Sequence, residues 1–180
     1  VMKLYSQGNL CEITRDYLKT LGSNHEKMNP TIRSKIIFGI SSIMKQLHKK
    51  KIIYRNLKIE NILLDENNEP ILSDFEFSIF VDDVEEDDMR TIVGTPYCMA
   101  PEILMRQTFS FSVDVYAYAF LLFRMFSKSI DLPGKKILMS FNSDYVKMIK
   151  NGIRPNRKKN IPDHYWELIQ RCWDSDPDKR

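Results

Sequence analysis

The chain has 180 residues, 43% hydrophobic and 28% charged, which excludes a disordered chain and predicts one domain with a substantial core. A formal charge of +3 provides no basic stripe for nucleic acid. Three widely spaced cysteines, Cys11, Cys98 and Cys172, form no C-x-x-C pair, so neither a disulfide framework nor a zinc site is supported, and a reducing, cytoplasmic compartment is expected.

In chain order, Val1 to Tyr5 could end a strand, Gly8-Asn9 breaks it, and a short helical pattern runs to about Leu21. Asn29 suits an N-cap and Pro30 the first helical position, where a missing N–H costs nothing. Ile32, Ile36, Ile40, Ile43, Met44 and Leu47 then recur at helical spacing, with Lys35, Lys45 and Lys49 on other faces. Lys51 to Tyr54 and Ile62 to Leu64 look like short strands. Asp65 to Glu69 is a turn, and Pro70 to Leu72 returns as the second strand of a hairpin. Ser73 to Pro101 reads as mostly irregular, and so long a loop in a compact domain is usually functional. Helices follow over about 112–127, 143–151 and 162–173, the last with Trp166, Ile169 and Trp173 on one face. Val113 to Phe126 carries Asp114 and Arg124 and is too short to cross a bilayer, so a buried core helix is expected there and no membrane segment. No signal peptide or low-complexity tract is visible. The first residue is Val1 rather than methionine, which suggests a fragment.

The chemistry concentrates in Tyr54-Arg55-Asn56-Leu57-Lys58-Ile59-Glu60-Asn61. This segment resembles the catalytic loop of eukaryotic protein kinases, H-R-D-L-K-x-x-N. Ser73-Asp74-Phe75-Glu76 resembles the D-F-G motif, and Gly94-Thr95-Pro96-Tyr97-Cys98-Met99-Ala100-Pro101-Glu102 the end of the activation segment. Ser112-Val113-Asp114-Val115-Tyr116 resembles the start of the large central helix of the kinase C-terminal lobe. Leu168 to Trp173, followed by Asp176-Pro177-Asp178-Lys179-Arg180, is similar to the tail of the tyrosine-kinase-like (TKL) group. Five motifs in the family's order span essentially the whole chain.

The resemblance implies a mainly α (α+β) fold, a kinase C-terminal lobe with a small β-hairpin and no N-terminal lobe, over residues 1–180 with an activation segment at 74–102. It also implies roles. Asn61 and Asp74 would be oxygen ligands for Mg²⁺. Lys58, placed as in Ser/Thr kinases, would steady the transferring phosphate of ATP, and Thr95 would bond to the catalytic loop. Met2, Lys3, Leu4 and Tyr5 match the hinge that reads the edge of adenine; Leu63 would form the floor beneath adenine, or simply pack in the core. Asp114 would accept N–H bonds from the catalytic loop, and Glu102 would pair with Arg180.

Departures from the pattern matter as much. Asn56 stands where the family has its catalytic aspartate, and an amide does not take a proton from a hydroxyl. Glu76 replaces a glycine, which is expected to restrict switching of the segment that includes Phe75. Tyr54 replaces histidine and fills the same aromatic slot. With the phosphate-covering loop missing upstream of Val1, the chain alone is expected to bind ATP weakly or not at all. The acidic run Asp82 to Asp88 either supplies a carboxylate to Arg55 in place of a phosphate or is a solvated face, and Thr91 is the nearest phosphorylation candidate. Arg154, Arg157, Lys158 and Lys159 form a solvated loop or a docking patch for an acidic partner. Three functional readings remain: a protein kinase-like module deficient in phosphoryl transfer that binds a protein partner, a working ATP-dependent Ser/Thr kinase, or a fragment with no role of its own.

Overall fold

The computed structural model describes residues 8–19, 29–85, 88–127, 130–132, 135–136 and 143–180. The expected strand end at Val1 to Tyr5 lies outside them. Helix α1 spans Leu10–Lys19 and opens on Asn9, whose Oδ1 accepts from Glu12 N at 3.0 Å. Helix α2 spans Pro30–Lys49; Asn29 Oδ1 accepts from Ile32 N at 2.9 Å, and His48 and Lys49 sit in the last turn, where a positive charge meets the negative end of the helix dipole. Its buried stripe is Ile36, Ile37, Ile40 and Met44. Ile37 joins the stripe outside the expected set, and Ile43 is only half-buried.

Strand β1 (Ile52–Ile53) pairs antiparallel with β4 (Ile79–Phe80), and β2 (Ile62–Leu64) pairs antiparallel with β3 (Pro70–Leu72). The second pair is the expected hairpin, tied at its turn by Asp65 Oδ1, which accepts from Asn67 N and Glu69 N at 2.8 Å each. Ser73 to Pro101 is mostly irregular, as expected, but β4 lies within it, with 3₁₀ turns at 81–83, 88–90 and 96–98. These elements are two or three residues long, below the length at which periodicity is legible.

Helix α3 (Pro101–Leu104) was also missed, for the same reason. Helix α4 (Ser112–Phe126) is apolar on every side and buried on nearly every side, as expected for a core helix. Strands β5 (Asp131–Leu132) and β6 (Lys135–Lys136) form a small unexpected hairpin before α5 (Ser143–Lys150) and α6 (Asp163–Cys172). Helix α6 packs against α4, and Trp173 just beyond it lies 5.6 Å from the Phe120 ring and 6.1 Å from Phe123. Each large apolar side chain buried this way contributes about 1.5–3 kcal/mol. Among the described residues no helix is long and apolar enough to cross a membrane. Cys11, Cys98 and Cys172 are free and buried.

Candidate active site

Residues 54–61 leave β1 as a loop folded onto the N-terminal end of α4. Asp114, only 1% exposed, is the anchor: its Oδ2 accepts from Tyr54 N and its Oδ1 from Arg55 N, both at 2.9 Å, and His48 Nε2 lies 2.9 Å from Oδ2. Hydrogen bonds to a buried carboxylate are about twice as strong as neutral ones, enough to hold Arg55 at a left-handed φ of +63°. The Arg55 side chain donates to Phe77 O at 2.6 Å and Thr91 Oγ1 at 2.9 Å, with Phe109 beside it. Burial pulls its pKa below the ordinary arginine value, while Asp88 and Asp114 oppose that shift. Among the described residues no carboxylate of the acidic run forms an ion pair with Arg55; Asp88 acts only at longer range, and Glu86 and Asp87 lie outside them. Thr91 stands where one of the two readings of the acidic run put a carboxylate.

Asn56 is 3% exposed, and its Nδ2 donates to Asp74 Oδ2 at 2.9 Å. Its Oδ1 is buried without a partner. Asn61 donates to Asn56 O at 3.0 Å and reaches the same Asp74 oxygen at 3.4 Å, while its own carbonyl accepts from Ser73 N and Ser73 Oγ. The structure therefore brings Asn56, Asn61 and Asp74 together. Lys58 Nζ donates to Thr95 Oγ1 at 3.1 Å, joining the loop to the stretch that follows Gly94. Close approach is needed there: a Cβ on Gly94, whose φ is +106°, would lie 2.7 Å from Arg55 O.

Asp74 itself has φ +60°, whereas Glu76 is not in the left-handed region, so this conformation makes no demand for glycine at position 76. Phe75 is 48% exposed and meets the Tyr54 ring edge-on at 5.2 Å, and the Tyr54 hydroxyl donates to Ser73 O. Desolvation by burial raises the Tyr54 pKa, which keeps that hydroxyl a donor. Leu63 is half-buried and bridges antiparallel to Asn9. Met2, Lys3, Leu4 and Tyr5 lie outside the described residues.

Away from the loop, Arg180 grips Glu102 with two hydrogen bonds of 2.6 and 2.9 Å, and the two side chains are 0% and 4% exposed. Sequence reasoning missed Glu60, which accepts from the Tyr97 hydroxyl at 2.9 Å and lies 3.9 Å from Arg124. Its position beside Asn61 in the catalytic-loop motif was the available signal. Arg154 donates to Trp173 O, Ile149 O and Ser175 Oγ, and Arg157 to Ile161 O and Asp163.

The donor set suits Mg²⁺. Asp74 keeps a carboxylate oxygen with no donor among the described residues, next to the Asn61 amide. Mg²⁺ favours such oxygen ligands and completes its shell with waters and phosphates rather than with an all-protein cage. Among the described residues no group of three or more His, Cys, Asp or Glu side chains could form such a cage.

The protein kinase domain family matches residues 1–180. The chain is 33% identical over 155 residues to a dual serine/threonine and tyrosine protein kinase of Apis mellifera, covering 82% of this chain and 15% of that protein. It is 32% identical over 148 residues to proteins of the same description from Mus musculus and Homo sapiens, again covering 82% of this chain and 15% of theirs. The chain thus spans about 15% of the length of these relatives. Matched over its full length by one family, and related by sequence to several kinases, the chain belongs to the protein kinase family.

Proposed function

We propose that this chain is the C-terminal lobe of a Ser/Thr-type kinase domain of the tyrosine-kinase-like group, that its phosphoryl transfer is impaired, and that it acts as a binding or allosteric module for a protein partner. The observation that carries this reading is Asn56, which stands at the base position and donates to Asp74 rather than accepting a proton. General-base catalysis is typically worth about 10²–10⁴-fold, and an amide supplies none of it. The rest of the site keeps the apparatus of the family. Asn61 and Asp74 would hold Mg²⁺, which when bound neutralises charge on the phosphates of ATP. Lys58, steadied by Thr95, would place the transferring group and its acceptor.

A second reading, a working ATP-dependent kinase, is favoured by that same Lys58–Thr95 contact. Positioning and charge stabilisation act without a proton acceptor. The test is incorporation of labelled γ-phosphate into the full-length protein and into Ser/Thr and Tyr peptide pools, for the natural sequence and Asn56→Asp. Transfer by Asn56→Asp at about 10²-fold or more above the natural protein is expected. Transfer by the natural protein at a rate comparable to that of Asn56→Asp would establish the second reading instead, and silence from both would point to Glu76 or the upper lobe and toward a binding role.

A further inference from the structure

We propose that the Asn56 amide substitutes for a cation at Asp74: it holds the metal-binding aspartate in place without metal. The inference rests on the reading of residues 54–61 as a catalytic loop with asparagine at the base position.

Three observations converge. Asp74 Oδ2 is already taken, by Asn56 Nδ2 at 2.9 Å and Asn61 Nδ2 at 3.4 Å. Asp74 holds a left-handed φ of +60° and is exposed, so among the described residues these two amides are the donors that fix its carboxylate. Asn56 is 3% exposed with its Oδ1 orphaned, so the amide is oriented by what its Nδ2 donates to and not by any partner of its oxygen.

An aspartate at position 56 would reverse the sign of this contact. Two carboxylates at hydrogen-bonding distance repel strongly where solvent is partly excluded, and a cation between them is the usual remedy. The natural amide needs no such remedy, since it supplies two N–H donors and no charge. Asn56 is thus a positioning residue: it acts on the site through Asp74. The contact takes up one lone-pair site of Oδ2 and leaves Oδ1 open, so it positions the carboxylate without closing it to a metal.

Thermal melting of the full-length protein, in EDTA and in excess Mg²⁺, tests this with no reference to catalysis. The natural protein should melt at nearly the same temperature in both. Asn56→Asp should melt about 5 °C lower in EDTA and regain most of that loss in Mg²⁺. The double exchange Asn56→Asp with Asp74→Asn restores an amide–carboxylate contact of reversed direction, and should recover stability in EDTA but not the response to Mg²⁺. A structural role for Asn56 unrelated to Asp74 would not produce that recovery.

The proposal fails if Asn56→Asp melts with the natural protein in EDTA, if Mg²⁺ stabilises both equally, or if the double exchange recovers nothing. Should Asn56→Asp not fold at all, Asn56→Ala decides: a lower melting temperature in EDTA, partly restored by Mg²⁺, supports the clamp, and an unchanged one overturns it. A natural protein that transfers phosphate well would end the impaired-transfer reading and leave these melting temperatures as they are.

Discussion

Asp114 shows how much one carboxylate organises. It accepts two backbone N–H groups of the catalytic loop and faces His48, all at 2.9 Å, in a site closed to solvent. Asp114→Asn keeps the shape but replaces one accepting oxygen with an NH₂ group that must face a donor. Hydrogen bonds to charged acceptors contribute about 1.5–3 kcal/mol, so a loss of about 2–3 kcal/mol is expected. Hydrogen exchange should locate it: the Tyr54 and Arg55 amides should exchange faster, while the amides of α6 should not change beyond the global loss. An unaltered exchange pattern at those two amides would show that the loop is held by something else. Lys58 and Thr95 then join this anchored loop to the activation segment, so the geometry around Asn56 depends on a residue 58 positions away in sequence.

At the scale of elements, α2 lies against the β2–β3 hairpin, and Gly39 is where they come closest. A Cβ there would sit 2.5 Å from Pro70 Cγ and 2.7 Å from its Cδ. Judged on α2 alone, Gly39→Ala should stabilise the helix by about 0.5–1 kcal/mol. The proline ring is rigid and sits in a paired strand, so the overlap wins and a net loss of about 1–3 kcal/mol is expected. Urea denaturation measures it, with Ser42→Ala on the exposed side of the same helix as a control that should change little. A gain in stability from Gly39→Ala would mean that the hairpin shifts easily, and with it the loop between β1 and β2.

Across the whole molecule, the Glu102–Arg180 pair closes 78 residues of chain and joins the end of the activation segment to the last residue. It is nearly inaccessible to water, so removing one partner leaves the other charge buried and unpaired. Glu102→Ala should therefore cost about 3–5 kcal/mol, far more than a solvent-exposed pair such as Lys35–Glu69. Chemical denaturation of both variants makes the comparison. Burial also raises the pKa values of Tyr54, Tyr97, Tyr116, Tyr118 and Tyr145. In the unfolded chain these phenols ionise near their ordinary value of about 10. The folded state therefore holds more protons above that pH, and stability, fully present below it, falls as pH rises through and beyond about 10. Circular dichroism followed upward from pH 8 should show cooperative unfolding on the alkaline side. Titration of the whole tyrosine absorbance near 10 in the folded protein, with no loss of helix, would contradict the burial of these five of the eight tyrosines.

What the sequence alone determined is local and contiguous. The α2 cap at Asn29-Pro30, the apolar run of α4 and the β2–β3 hairpin each follow from neighbours a few residues apart, and so does the catalytic-loop pattern with its asparagine at position 56. The tertiary structure decided the rest. The pairing of β1 with β4, the contact of Gly39 with Pro70, the bond from Tyr97 to Glu60 and the grip of Asn56 on Asp74 all join residues that no periodicity connects. The acidic run shows the difference most clearly: its composition left open whether a carboxylate meets Arg55 or solvent, and the turn at 88–90 brings the Thr91 hydroxyl to the guanidinium. Propensity acts over a turn or a strand, whereas these contacts depend on how the chain closes and which side chains exclude water together.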